Sequence, residues 1–201
     1  KLILSLHPGI MEYELADIFE FFGRSQNRSK LAFSTIIASG KNATCLHYPT
    51  QNCAVRSGEL ILFDLGYKSN GYCADISRTF PVDGVFTGNM KKVYELVLNN
   101  QKFVLEQYKE GANTKQITKM VENDFKLHGY ELIHALGHGV GMEVHELPFI
   151  SNKMDFMAKA NMVVTDEPGI YIPGQFGVRI EDTVLVKKDD CECLTTSDKQ
   201  I

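Results

Sequence analysis

Two aspartates, Asp64 and Asp75, flank a stretch that reads as two strands joined by a turn at Ser69-Asn70-Gly71, so closing the hairpin makes neighbours of two carboxylates. With a four-residue loop at Lys68 to Gly71, Asp64 faces Asp75. With a tight Asn70-Gly71 turn, Asp75 faces Gly66 and lies one diagonal step from Asp64 on the same face. Like charges across a sheet repel, so a pair of acids inside apolar strands needs a proton, a cation or solvent. A divalent metal is the most productive of the three.

Two further acids stand at special strand positions. Alternation along Val178–Val186 puts Arg179, Glu181 and Thr183 on one face, and Val178, Ile180, Val184 and Val186 on the other. Glu167 closes a strand where Pro168-Gly169 bends the chain away. Taken singly, a Glu before Pro-Gly is more often a turn residue, and an Arg-x-Glu on a strand more often a surface ion pair. Three of the six histidines, His134, His138 and His145, crowd into one segment with Gly137, Gly139 and Gly141 and shift that balance. The segment is too rich in glycine for a helix and lacks the glutamate of HExxH. Four acids and an imidazole suit a pair of hard or borderline divalent ions, because carboxylates bridge metals and offset their charge. Two such ions hold one hydroxide and polarise a carbonyl, so the implied reaction is hydrolysis.

The elements that position these residues follow from periodicity. Apolar residues at helical spacing predict one helix over Met11 to Phe22, stopping near Gly23, and a second capped by Thr87 and running toward a Gly111 stop. A third opens at Thr114 and ends by Gly129. Strands are predicted at Ala32 to Ala38, Leu60 to Leu65, Tyr72 to Phe80, Met162 to Glu167 and Val178 to Val186. Helices and strands come in blocks, which favours an α+β architecture with an antiparallel sheet. A weak internal echo links residues 60–80 with 162–186, each pairing strands around a glycine-bearing turn and delivering acids near it.

At 201 residues, with 44% hydrophobic and 23% charged residues, the chain reads as one globular domain or two tightly packed halves. No stretch approaches the roughly 18 apolar residues of a membrane helix, and no membrane partner is expected. Lys1 to Leu6 is too short an apolar run for a secretory signal and reads as the inside of an element. A net charge of −4 without a basic cluster argues against nucleic acid. Five cysteines, without CxxC spacing, read as reduced thiols of a cytoplasmic protein, and Cys191-Glu-Cys193 as a polar tail rather than a metal site.

Several motifs in order carry a family resemblance: Asn42-Ala-Thr-Cys-Leu-His47-Tyr-Pro49, Asp64-Leu-Gly66, Asp75-Ile-Ser-Arg-Thr-Phe80, Gly137-His138-Gly-Val-Gly141, Val144-His145-Glu146, Glu167-Pro-Gly-Ile-Tyr171 and Gly177-Val-Arg-Ile-Glu-Asp182. From about Pro8 to Val186 the chain resembles the catalytic domain of the pita-bread metallopeptidases, family M24, in its Xaa-Pro aminopeptidase and prolidase branch. The resemblance implies a curved antiparallel sheet with helices on its outer face and two pseudo-twofold halves. It implies two divalent ions, commonly manganese, with cobalt or zinc in relatives. Asp64 would bind one ion, His138 and Glu167 the other, and Asp75 and Glu181 would bridge them. In the family's usual mechanism a shared hydroxide attacks the scissile carbonyl, Glu167 shuttles the proton and His145 stabilises the tetrahedral intermediate. His47 and His134 would bind substrate and assist the leaving group, while Arg179 orients carboxylates. The implied substrates are peptides with proline at the second position, and the implied assembly a homodimer.

Asp166 stands where the family often has an apolar residue, and alternation points it away from the metals. The family's N-terminal domain and leading helix find no counterpart, so residues 1–201 read as the catalytic domain alone. Methionine aminopeptidase is the nearest enzymatic rival, and a catalytically silent pita-bread binding module the rival of another class. Metal-free, creatinase-like hydrolysis is disfavoured because all five candidate ligands are present. Aminopeptidase and dipeptidase action stay open.

Overall fold

The computed structural model describes residues 2–27 and 30–199. A helical turn, α1 (Leu2–Ser5), precedes the long α2 (Glu12–Asn27), and the strands β1 (Lys30–Leu31) and β2 (Ile36–Ser39) follow. A 3-10 turn at Gly40–Thr44 leads to β3 (Leu60–Leu65), β4 (Tyr67–Ser69), β5 (Tyr72–Cys73) and β6 (Ile76–Pro81). Strands β2, β3 and β6 form one antiparallel sheet. The apolar stripe of α2, led by Leu15, buries against its Ile37, Ile61 and Phe80.

The second half repeats the plan with α3 (Gly88–Gln107) and α4 (Thr114–Leu127). They precede β7 (Gly137–Gly139), β8 (Glu146–Ile150), β9 (Val163–Asp166), β10 (Gly169–Ile172), β11 (Phe176–Arg179), β12 (Asp182–Val186) and β13 (Cys191–Cys193). Their sheet runs β13-β12-β9-β7-β8, and β10-β11 is a separate hairpin. Val97 of α3 and Val121 and Phe125 of α4 pack with Val178 and Val184 into the larger core. Truncating Phe125, which is fully buried, to alanine would cost roughly 3–5 kcal/mol. Every strand pairing among the described residues is antiparallel, and the helices come in blocks, as an α+β fold requires.

Several predicted boundaries are corrected. Helix α2 runs past Gly23 because that glycine is where the Tyr67 ring lies on the helix: a Cβ there would sit 2.0 Å from the ring. The same ring stacks on Phe19 at 4.2 Å. Helix α3 ends at Gln107, before Gly111; α4 opens at Thr114 as expected, with Asn113 as its cap, whose side chain accepts from the Gln116 amide at 3.0 Å. Cys191–Cys193 is an edge strand on β12 rather than a tail.

Three predicted strands are each interrupted. Ala32 to Ala38 breaks before β2, Tyr72 to Phe80 breaks at Ala74-Asp75, and Val178 to Val186 breaks at Ile180-Glu181, where the chain leaves one sheet for another. The hairpin takes the tight-turn register: Asn70 and Gly71 have φ of 52° and 89°, Lys68 pairs with Cys73, and Asp64 pairs with Ser77. Asp75, Glu167 and Glu181 all fall at breaks between strands. There the chain is free of a continuous ladder and can turn its side chain out of the sheet.

Candidate active site

A cavity of about 700 Å³ opens where the two halves meet. Asp64, Asp75, His138, Glu167 and Glu181 all line it, as do His47, His134, His145 and Arg179. Distance along the chain is cancelled by the fold: Asp64 is the penultimate residue of β3, His138 sits in β7, and the other three acids sit at strand breaks. Ligand atoms of Asp75, His138 and Glu181 lie within 4.8 Å of one another. His138 Nε2 is 3.7 Å from Asp75 Oδ2 and 3.4 Å from Glu167 Oε1.

Local chemistry fixes each group. Strand β7 is squeezed against its neighbours, so that a Cβ on Gly137 would lie 2.2 Å from the Thr165 carbonyl oxygen and one on Gly139 2.5 Å from that of Leu147. These glycines bring His138 into line. Its Nδ1 lies 3.1 Å from the Gly139 carbonyl, which can only accept, so Nδ1 carries the proton and Nε2 turns its lone pair toward the acids. The His138 amide donates to Thr165 Oγ1 at 3.0 Å, and the Thr165 hydroxyl donates to Glu167 Oε1 at 3.4 Å.

Arg179 spreads its guanidinium over three acceptors: Nη2 donates to Asp64 Oδ2 at 2.7 Å, Nε to Ser77 Oγ at 2.9 Å and Nη1 to the Tyr171 hydroxyl at 2.8 Å. Ser77 passes its own proton to Glu181 Oε2 at 2.7 Å. Tyr171 passes its proton to His134 Nε2 at 3.0 Å, and His134 Nδ1 donates to Ala135 O at 2.7 Å. His145 packs edge-on against His138, with ring centroids 4.4 Å apart, and faces His47 at 6.5 Å.

The acids repel in a buried site. Burial, then the Asp64 and Glu167 charges, pushes Asp75 up to about 9. Burial pushes Glu167 up to about 7 against the pull of Arg179, and raises Glu181 well above its ordinary value with Asp75 adding to the effect. Burial lowers His134 and His138 to about 4, and also lowers His145 with His47 beside it. Asp64 Oδ1 and Asp75 Oδ1 are buried without a hydrogen-bond partner among the described residues. Orphaned acceptors, an aimed imidazole lone pair and clustered carboxylates fit divalent cations.

All nine residues singled out from the sequence thus meet at one cavity. Asp166 is fully buried, pairs across β9 and β12 with Asp182, and does not line it. Ser77, Tyr171 and Thr165 were assigned no role from the sequence, though period-two alternation puts Asp75, Ser77 and Thr79 on one face. Tyr171 closes the Glu167-Pro-Gly-Ile-Tyr171 motif, but its contacts with His134 and Arg179 have no local signal.

The fold is of the pita-bread class, with clustered acids lining the cavity between its halves. The sequence matches the model of metallopeptidase family M24 over residues 1–188. It is 40% identical over 201 residues to the Xaa-Pro dipeptidase of Pyrococcus furiosus, covering 99% of this chain and 58% of that protein. An uncharacterised peptidase of Methanocaldococcus jannaschii is 42% identical over 194 residues, covering 94% and 54%. The crystal structure of the X-Pro aminopeptidase from Thermotoga maritima superposes with a TM-score of 0.95 at 36% identity, covering 100% of this chain and 57% of that one. The chain spans somewhat over half the length of these relatives. It belongs to metallopeptidase family M24, and that family uses divalent metal. No helix among the described residues is long and apolar enough to cross a membrane.

Proposed function

We propose that residues 1–201 form the catalytic unit of a metallo-exopeptidase that hydrolyses the bond between an N-terminal residue and a following proline. The observation that carries this reading is the convergence of Asp64, Asp75, His138, Glu167 and Glu181 on one cavity with two carboxylate oxygens left unpartnered. The names of the relatives, Xaa-Pro dipeptidase and X-Pro aminopeptidase, support the choice of bond. Asp64 would hold one ion, His138 and Glu167 the second, and Asp75 and Glu181 both; manganese suits this oxygen-rich set. Bound there, the ions supply a water nucleophile near neutral pH and a Lewis acid for the carbonyl.

The chain's own residues do the rest. Glu167, at the cavity wall beside His138, takes the proton from the attacking water and returns it to the leaving nitrogen. His145, whose pKa is lowered by partial desolvation and by His47 beside it, donates to the developing oxyanion. His47 and His134 bind the substrate and assist the leaving group. Arg179 holds Asp64 and, through Ser77, Glu181 in register. Proline removes an amide N–H, so a site that holds its ring selects it without that donor. We assign the protein to the cytoplasm on its five free cysteines, and expect a homodimer.

The test is turnover with added manganese on Arg-Pro-Pro, Gly-Pro and Met-Ala-Ser. Release of arginine or glycine from the proline peptides is expected, and their ratio separates aminopeptidase from dipeptidase action. Release of methionine alone would transfer the chain to the methionine aminopeptidases. No turnover and no metal bound after reconstitution would make it a binding module.

A further inference from the structure

Glu12 is the first residue of α2, far in sequence from any candidate ligand, and its carboxylate is fully buried. No basic side chain among the described residues pairs with it. Instead four neutral donors converge on it. Oε1 accepts from the Ser39 amide at 2.7 Å, the Ser39 hydroxyl at 2.8 Å and Asn42 Nδ2 at 2.9 Å, and Oε2 accepts from the Tyr48 hydroxyl at 2.9 Å. A side-chain carboxylate offers two oxygens to accept all four bonds, so the chemistry of the site suits an acid.

All four donors belong to one segment. It leaves β2 at Ser39, turns through Gly40–Thr44 and enters the cavity wall at His47 and Tyr48. The exposed His47 ring makes no hydrogen bond within the described residues, so what places it at the cavity is the backbone that carries its Cα–Cβ bond. Glu12 ties that segment down before His47, through the Ser39 amide and hydroxyl and the Asn42 side chain, and immediately after it, through the Tyr48 hydroxyl. We propose that Glu12 is a positioning residue that holds His47 at the cavity mouth for substrate. This rests on the reading of His47 as a substrate-binding residue.

The experiment is a double-mutant cycle on the manganese-loaded chain with Arg-Pro-Pro, using Glu12→Gln, His47→Ala and both together. Glutamine keeps the volume and one acceptor oxygen, and forces the Tyr48 hydroxyl to turn. Glu12→Gln is expected to lower kcat/KM by roughly ten- to a hundredfold through misplacement. Manganese affinity by calorimetry should not move, and on the His47→Ala background the loss should vanish. A merely structural role would lower the melting temperature and leave the two effects multiplicative, and that result overturns the proposal. If Glu12→Gln does not fold, Tyr48→Phe, which removes only the Oε2 donor, takes its place in the same cycle. A normal His47→Ala enzyme would refute the role of His47 and this inference with it. An impaired His47→Ala beside a normal Glu12→Gln would refute the inference alone.

Discussion

Arg179 and Asp64, 115 residues apart in the chain, meet through Nη2 and Oδ2 at 2.7 Å, and the other Asp64 oxygen is buried without a hydrogen-bond partner among the described residues. One oxygen is therefore oriented by the guanidinium while the other is free to bind. Lysine cannot reach Asp64, Ser77 and Tyr171 at once, because an ammonium lacks the planar fork. Arg179→Lys should weaken manganese binding and kcat/KM by roughly 10- to 100-fold. Calorimetric titration checks it, and an unchanged affinity would contradict the orienting role.

Ser77 is fully buried and joins Arg179 to Glu181 through one hydroxyl. Ser77→Ala should leave Glu181 to rotate and lower metal affinity by about tenfold or more. Ser77→Thr keeps the hydroxyl and should retain most of it. Equal losses in both variants would assign the effect to packing instead.

Asp75→Asn should abolish turnover and remove one ion while the ion-free protein keeps its melting temperature. With Asp75 pushed up to about 9 by burial and its acidic neighbours, the ion-free carboxyl is already neutral at pH 7, and asparagine resembles that form. Wild-type turnover in this variant would defeat the bridging assignment.

The raised acids also fix a pH dependence. Asp75 at about 9 and Glu167 at about 7 hold protons in the folded, ion-free protein that the unfolded chain has released. Their stabilisation is complete below the ordinary carboxyl range and is lost as pH rises through 7 and then 9. His134 and His138, lowered from 6.5 to about 4, act in the opposite sense only below 6.5. The melting temperature of ion-free protein should therefore fall from pH 7 to pH 9, and manganese should raise it more at pH 9 than at pH 7. A melting temperature that climbs over that interval would contradict the buried, repelling acids.

Much of this site was legible because hairpins and alternation are local. The Asn70-Gly71 turn sets which residue opposes Asp64, one of the two registers the hairpin allowed, and alternation marked Arg179 and Glu181 together although the strand breaks at Ile180-Glu181. The strand breaks at Asp75 and Glu181 were not legible, since the residues on both sides keep strand chemistry and only the change of sheet interrupts them. The strand carrying His138 escaped for another reason: its glycines answer to carbonyls of β8 and β9, which no local pattern reports. The reach of Glu12 to Ser39, Asn42 and Tyr48 belongs to the same class. A helix-start glutamate looks like any other until the segment it holds has folded onto it.

The most direct measurement is anomalous diffraction from crystals grown with manganese. The account predicts two peaks roughly 3.5–4 Å apart, contacted by Asp64, Asp75, His138, Glu167 and Glu181, with Asp75 and Glu181 touching both. Manganese bound elsewhere, or no peak in the cavity at saturating metal, would contradict it.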